Sequence, residues 1–169
     1  METVAARPWW FIVLIGRNPQ RTLARVVILV LGCFLAWKYV AVPIRVEGIS
    51  MLPTYKERDI NVINRLAYKF RDPQRGDVVA IRMAGEHLML LKRIVGLPGE
   101  TVAFRRGRLL INGQVVPEPY VKFKCYWNIP PQHLGPGEYY VVGDNRSMPE
   151  ADHTKGIADR SRIVGKALL

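Results

Sequence analysis

Residues 88–95 read Leu88-Met89-Leu90-Leu91-Lys92-Arg93-Ile94-Val95, and Gly96-Leu97-Pro98-Gly99 closes the run. A short apolar stretch bounded by turn residues predicts a strand. Side chains alternate along a strand, so Lys92 shares a face with Leu88, Leu90 and Ile94, while Arg93 shares the other with Met89, Leu91 and Val95. One of the two basic side chains is therefore expected to point inward, among aliphatic neighbours.

Similar runs surround this one. Ile60–Ile63, Asp77–Met83, Thr101–Phe104, Arg108–Ile111 and Tyr139–Val142 are each short, rich in β-branched or aromatic residues, and separated by turn signals. Arg108–Ile111, Asn112-Gly113 and Gln114–Val116 predict a hairpin, because Asn and Gly tolerate the positive φ that a type I′ turn requires. Ile129-Pro130-Pro131 with Gly135-Pro136-Gly137 is expected to frame a loop. The region 45–169 thus reads as a mainly β domain built on antiparallel sheet.

The preceding residues are different. Val26 to Val42 is apolar with Lys38 as its only charge, and extension to Ile44 gives the length of a membrane span. Trp37 and Tyr39 flank Lys38 as interfacial residues would. The expected division is 1–25 cytoplasmic or interfacial, 26–44 transmembrane helix, and 45–169 an extracytoplasmic domain. Trp9–Gly16 is too short to cross and is expected in the interface. Arg7, Arg17, Arg21 and Arg25 precede the span, so the positive-inside rule keeps the N-terminus in the cytoplasm and sends the domain across a single-pass anchor.

Beyond residue 42 the chain holds 20 Lys+Arg against 13 Asp+Glu, a net charge of +7. A basic domain suits either nucleic acid or an anionic membrane surface. The tether favours membrane lipid, and no helix-turn-helix pattern, zinc spacing or RNA-binding signature points to nucleic acid. Cys33 lies in the span and Cys125 stands alone beyond it, which excludes a disulfide within the domain. His87, His133 and His153 are too scattered for a zinc site, so neither metal nor cofactor is expected.

Three segments could carry chemistry. Val46-Glu47-Gly48-Ile49-Ser50-Met51-Leu52-Pro53-Thr54 places a serine just beyond the span; alone, a serine beside Gly and Pro reads as a turn. Lys92 in its aliphatic strand gives that serine a possible partner. A serine hydroxyl attacks an amide only if a base takes its proton, and an exposed lysine at pH 7 is neutral in only about 0.04% of molecules. Burial disfavours the ammonium and makes the amine available as general base and then general acid. The third segment, Gly143-Asp144-Asn145-Arg146, follows a strand as a turn able to orient a site.

Together, Ser50-Met51-x-Pro53-Thr54, Lys92-Arg93-x-x-Gly96-Leu97-Pro98-Gly99-Glu100 and Gly143-Asp144-Asn145-Arg146, in that order behind an apolar segment, resemble the type I signal peptidases. Ile163-Val164-Gly165-Lys166-Ala167 resembles the close of that family. The resemblance runs from about Ile44 to the end. It implies Ser50 as nucleophile, Lys92 as general base, the Ser50 N–H as oxyanion donor and Met51 as a packing element of the site. It also implies a domain lying on the outer surface of a bacterial cytoplasmic membrane. The substrates it implies are preprotein signal peptides cut after small residues and bound as an added strand.

The sequence also departs from the family pattern. Gly48 stands where some members carry a serine that supplies a second oxyanion donor. Pro149 stands where a serine usually hydrogen-bonds the lysine, which leaves Ser147 as a displaced substitute. Asp144, Asn145, Arg146 and Ser147 are accordingly expected as structural support. Two alternatives remain open: a peptidase dedicated to one conjugation, pilus or organelle substrate, and a catalytically silent, membrane-anchored peptide-binding module.

Overall fold

A computed structural model describes residues 18–82 and 89–168. The expectations for Arg7, Arg17, Trp9–Gly16 and His87, and the strand ends at Met83 and Leu88, lie outside the described residues. The chain divides into two units, residues 1–39 and 40–169.

The described part of the first unit is one helix, α1, Pro19–Tyr39. Asn18 opens it: its carbonyl accepts the Thr22 N–H at 3.1 Å and its Oδ1 the Arg21 N–H at 3.4 Å. Pro19 follows as the first helical residue, where a missing N–H costs nothing. Gln20–Lys38 is long and apolar enough to cross a membrane, and Leu23, Ile28, Leu29 and Phe34 are all exposed on it. The expected limits of 26 and 44 are both displaced. Residues 20–25, Gln-Arg-Thr-Leu-Ala-Arg, are mostly good helix formers and join the helix, whereas 41–44 leave it for a strand, where hydrophobicity alone could not separate the two.

The second unit contains, among the described residues, eleven strands: β1 (Ala41–Arg45), β2 (Ile60–Asn64), β3 (Val78–Arg82), β4 (Met89–Gly96), β5 (Thr101–Arg105), β6 (Arg108–Ile111), β7 (Gln114–Val115), β8 (Ile129–His133), β9 (Glu138–Val142), β10 (Gly156–Asp159) and β11 (Ile163–Ala167). They form a seven-stranded sheet in the order β1-β2-β11-β3-β4-β9-β10 and a four-stranded sheet in the order β7-β6-β5-β8. Every pairing is antiparallel, so the fold class is mainly β. The hairpin turn has Asn112 at φ 50° and Gly113 at φ 81°, as a type I′ turn demands.

One expectation is corrected here. Ile129-Pro130-Pro131 is not a loop but the start of β8, which bonds only to β5 at the edge of its sheet. An edge strand tolerates residues that cannot donate.

β4 feeds three apolar clusters. Leu91 packs with Val46, Met51, Ile63, Val78, Ala80 and Ala167. Val95 packs with Val102, Phe104, Leu109, Trp127, Leu134 and Tyr140 between β4 and the smaller sheet. Ile94, from the Lys92 face, packs with Tyr68, Val79, Ile81, Tyr139, Val141, Ala158 and Ile163. Each fully buried aliphatic side chain contributes about 1.5–3 kcal/mol, so β4 is fixed from both faces.

Candidate active site

Ser50 lies in the turn-rich stretch between β1 and β2, and its neighbour Met51, 1% exposed, anchors that stretch in the core. Lys92 lies on β4, paired with Val79 of β3, and is 3% exposed. Its Nζ donates to Ser50 Oγ at 2.8 Å. Burial lowers the Lys92 pKa to about 8, against an opposing pull from the Asp144 carboxylate. About a tenth of the amines are then neutral at pH 7, against about 0.04% for an exposed lysine. The pair can thus deprotonate a hydroxyl and reprotonate a leaving group.

The turn Gly143–Arg146 holds both halves of this pair. Asn145 donates its backbone N–H to the Ser50 carbonyl at 2.9 Å and its Nδ2 to the Ile49 carbonyl at 3.1 Å. Asp144, fully buried, accepts Arg93 Nε at 2.8 Å, Arg93 Nη2 at 2.6 Å and the Thr54 hydroxyl at 2.5 Å. Because Arg93 follows Lys92 on β4 and Thr54 follows Ser50 by four residues, one carboxylate ties the two segments together. Arg93 also donates to the Gly76 carbonyl and lies 4.0 Å from the Tyr120 ring centre. Burial disfavours its cation, but the Asp144 carboxylate outweighs that and raises its pKa.

Gly143 is required by close approach. A Cβ there would run into the Ser50 carbonyl and the His153 ring. Arg146, 1% exposed, sits beneath the turn, donating to the Gly143 carbonyl at 2.8 Å and forming an ion pair with Glu118.

Ser147 stands beside the Asn145 clamp rather than beside Lys92. Its hydroxyl donates to Asn145 Oδ1 at 2.7 Å, so it orients the amide that clamps Ile49 and is not the partner that holds Lys92. Gly48, with φ 84° and no side chain, adds no side-chain donor. Both cysteines are free, and among the described residues no group of three or more His, Cys, Asp or Glu side chains comes together to hold a metal.

Several partners escaped the sequence reading: the roles of Arg93 and Thr54, and the whole contribution of Glu118, Tyr120 and His153. Arg93 carried a signal, since a guanidinium on the Leu91 and Val95 face needs a buried anion. His153, 3% exposed, carried none. Its ring packs against Trp127 at 4.8 Å, its Nε2 lies 3.4 Å from the Gly143 carbonyl, and its Nδ1 has no hydrogen-bond partner. Burial and the nearby Lys92 charge lower its pKa to about 4.

Two cavities flank the pair, one lined by Ser50 and the other by Lys92. One, about 30 Å³, is lined by Ile44, Val46, Gly48, Ser50, Met89 and Leu91 among others. The second, about 210 Å³, is lined by Lys92 and by residues of β3, β9, β10 and the segment before β10.

The sequence matches the profile of the family described as signal peptidase, peptidase S26, over residues 20–169. It is 32% identical over 157 residues to signal peptidase I of Leptolyngbya laminosa, covering 88% of this chain and 76% of that protein. To signal peptidase I V of Bacillus subtilis it is 33% identical over 135 residues, covering 72% and 80%. A crystal structure of a signal peptidase I from Enterococcus faecalis is similar at 30% identity and a TM-score of 0.47, covering 57% of this chain and 97% of that one. With a family match over nearly its whole length and relatives at this identity, the chain is a peptidase that belongs to the signal peptidase S26 family.

Proposed function

We propose that this protein is a membrane-anchored signal peptidase I that cuts signal peptides from exported preproteins, with Ser50 as nucleophile and Lys92 as general base. The observation that carries the reading is the 2.8 Å hydrogen bond between Lys92 Nζ and Ser50 Oγ at a buried lysine whose pKa is about 8. The neutral amine takes the hydroxyl proton as Ser50 Oγ bonds to the scissile carbonyl carbon. The carbonyl oxygen becomes an oxyanion, to which the Ser50 N–H donates. The C–N bond then breaks, and the Lys92 ammonium gives its proton to the departing amine. Water attacks the Ser50 ester, Lys92 takes the water proton, and the proton returns to Oγ as the C–O bond breaks.

Two features support the substrate class. Along β4, β9 pairs only from Arg93 onward, so Met89–Lys92 offers an edge to which an extended peptide can add. The cavity beside Ser50 has room for little more than a methyl group, which suits alanine-sized residues before the cut. Arg21 and Arg25 at the start of α1 favour a cytoplasmic N-terminus, with α1 as a single-pass anchor and the β domain on the outer face.

The test is cleavage of a preprotein carrying an Ala-x-Ala site by the detergent-solubilised full chain. Cutting after the second alanine should fall at least about a thousandfold in Ser50→Ala and in Lys92→Ala. Folded, unaltered protein that leaves the preprotein whole would refute the reading.

A further inference from the structure

An added strand that runs along Met89–Lys92 cannot continue past the dyad in the sheet plane, because β9 occupies that edge from Arg93. The chain beyond the scissile bond must therefore turn out of the sheet. Chemistry fixes the direction: the departing amine takes its proton from Lys92 Nζ, so the first released residue has to stand within hydrogen-bond reach of that atom. Lys92 lines the 210 Å³ cavity, which lies on the face to which Lys92 projects. Its walls include Ile81, Leu90, Val141 and Ile157, and Lys155 and Arg162 also line it.

Resting on the function proposed above, we infer that this cavity receives the first residues of the released chain and selects acidic side chains there over basic ones. The walls are aliphatic and accept a small or medium apolar side chain. Among the described residues, the charged side chains that line the cavity are all cations, Lys92, Lys155 and Arg162. Lys155 Nζ lies 3.5 Å from the Glu150 carboxylate and donates to the Glu150 carbonyl at 2.9 Å, so one cation is partly answered. Arg162 donates its Nε to the Arg82 carbonyl at 3.1 Å, and among the described residues no carboxylate lies within ion-pairing distance of it. An incoming Asp or Glu meets the positive charge of Lys155 and Arg162, and an incoming Lys or Arg is repelled by it. Selection by the rim acts through partly exposed charges and is correspondingly modest and sensitive to salt.

The test uses the full chain in detergent and two preproteins identical except for Asp or Lys at the second residue after the cut. The unaltered protein should process the Asp substrate with a kcat/KM about three- to fivefold higher, and the ratio should approach one at about 1 M salt. Arg162→Glu should abolish or invert the ratio, a readout within one protein sample that a general loss of fold leaves unchanged. Equal rates for the two substrates in the unaltered protein, or an unchanged ratio in Arg162→Glu, would overturn this inference while leaving the peptidase reading intact. Failure to cut either substrate would overturn both.

Discussion

Arg93 and Asp144 form a two-pronged ion pair, with Nε on one carboxylate oxygen at 2.8 Å and Nη2 on the other at 2.6 Å, and the acid is wholly buried. A buried pair adds little net stability over an apolar pair of similar volume, but removing one member strands the other. Asp144→Ala should therefore destabilise the fold by about 3–5 kcal/mol, measured by denaturant or thermal unfolding in detergent. Arg93→Met combined with Asp144→Leu should recover a large part of that loss, whereas purely additive losses would contradict this account.

Lys92 should set the pH dependence of cleavage. A general base works in its neutral form, so kcat/KM should rise with pH, with a midpoint near 8, and then level. A profile that is flat from pH 6 to 10 would rule out this lysine as the base.

The same residue should weaken the fold at neutral pH. Its folded pKa of about 8 lies below the 10.5 ordinary for lysine. Between those values the unfolded chain binds the proton and the folded one does not, so stability rises with pH across that window. Below pH 8 the full penalty of about 3 kcal/mol is present. Lys92→Met should consequently unfold at higher temperature at pH 7, with its advantage shrinking above pH 8.

How much of this was legible in sequence depended on how local each signal was. The interior strands β3, β4, β5, β6 and β9 stood out as short apolar runs. β1 did not, because Ala41–Ile44 continues the hydrophobicity of α1 and only its pairing with β2 separates them. β8 was hidden by its prolines and β10, Gly156-Ile157-Ala158-Asp159, by having a single large apolar side chain. Ser50 and Lys92 were found because each sits in a short, dense motif. The Arg93–Asp144–Thr54 junction joins residues up to 90 positions apart, and His153 stands in a segment that matches no pattern.

His153 should make the fold acid-sensitive over a defined range. Burial and the Lys92 charge hold its pKa at about 4, against 6.5 ordinarily, with Arg146 and Lys155 adding to the same effect. Between pH 6.5 and 4 the unfolded chain takes up the proton and the folded one does not, so stability falls by about 3 kcal/mol as pH drops through that range. His153→Phe keeps a ring against Trp127 and should flatten the slope. An equally steep loss in that variant would assign the acid sensitivity elsewhere.

Gly143→Ala should disable the site, since its methyl group would press on the Ser50 carbonyl that Asn145 holds. Displacing the nucleophile by about 1 Å costs on the order of a hundredfold in rate. Preprotein cleavage at unchanged rate would show that the turn can yield without moving Ser50.

The position of β11 governs how the larger sheet closes. It is the last strand in chain order, yet it lies in the interior of the larger sheet, between β2 and β3. Until residues 163–167 arrive, β1 and β2, which flank the Ser50 turn, and β3 and β4, which carry Lys92, have no strand to join them in the sheet. Contacts this distant in sequence make folding slow. Closure of the larger sheet therefore waits on residues 163–167, which alone join its β1–β2 part to its β3–β4 part among the described strands.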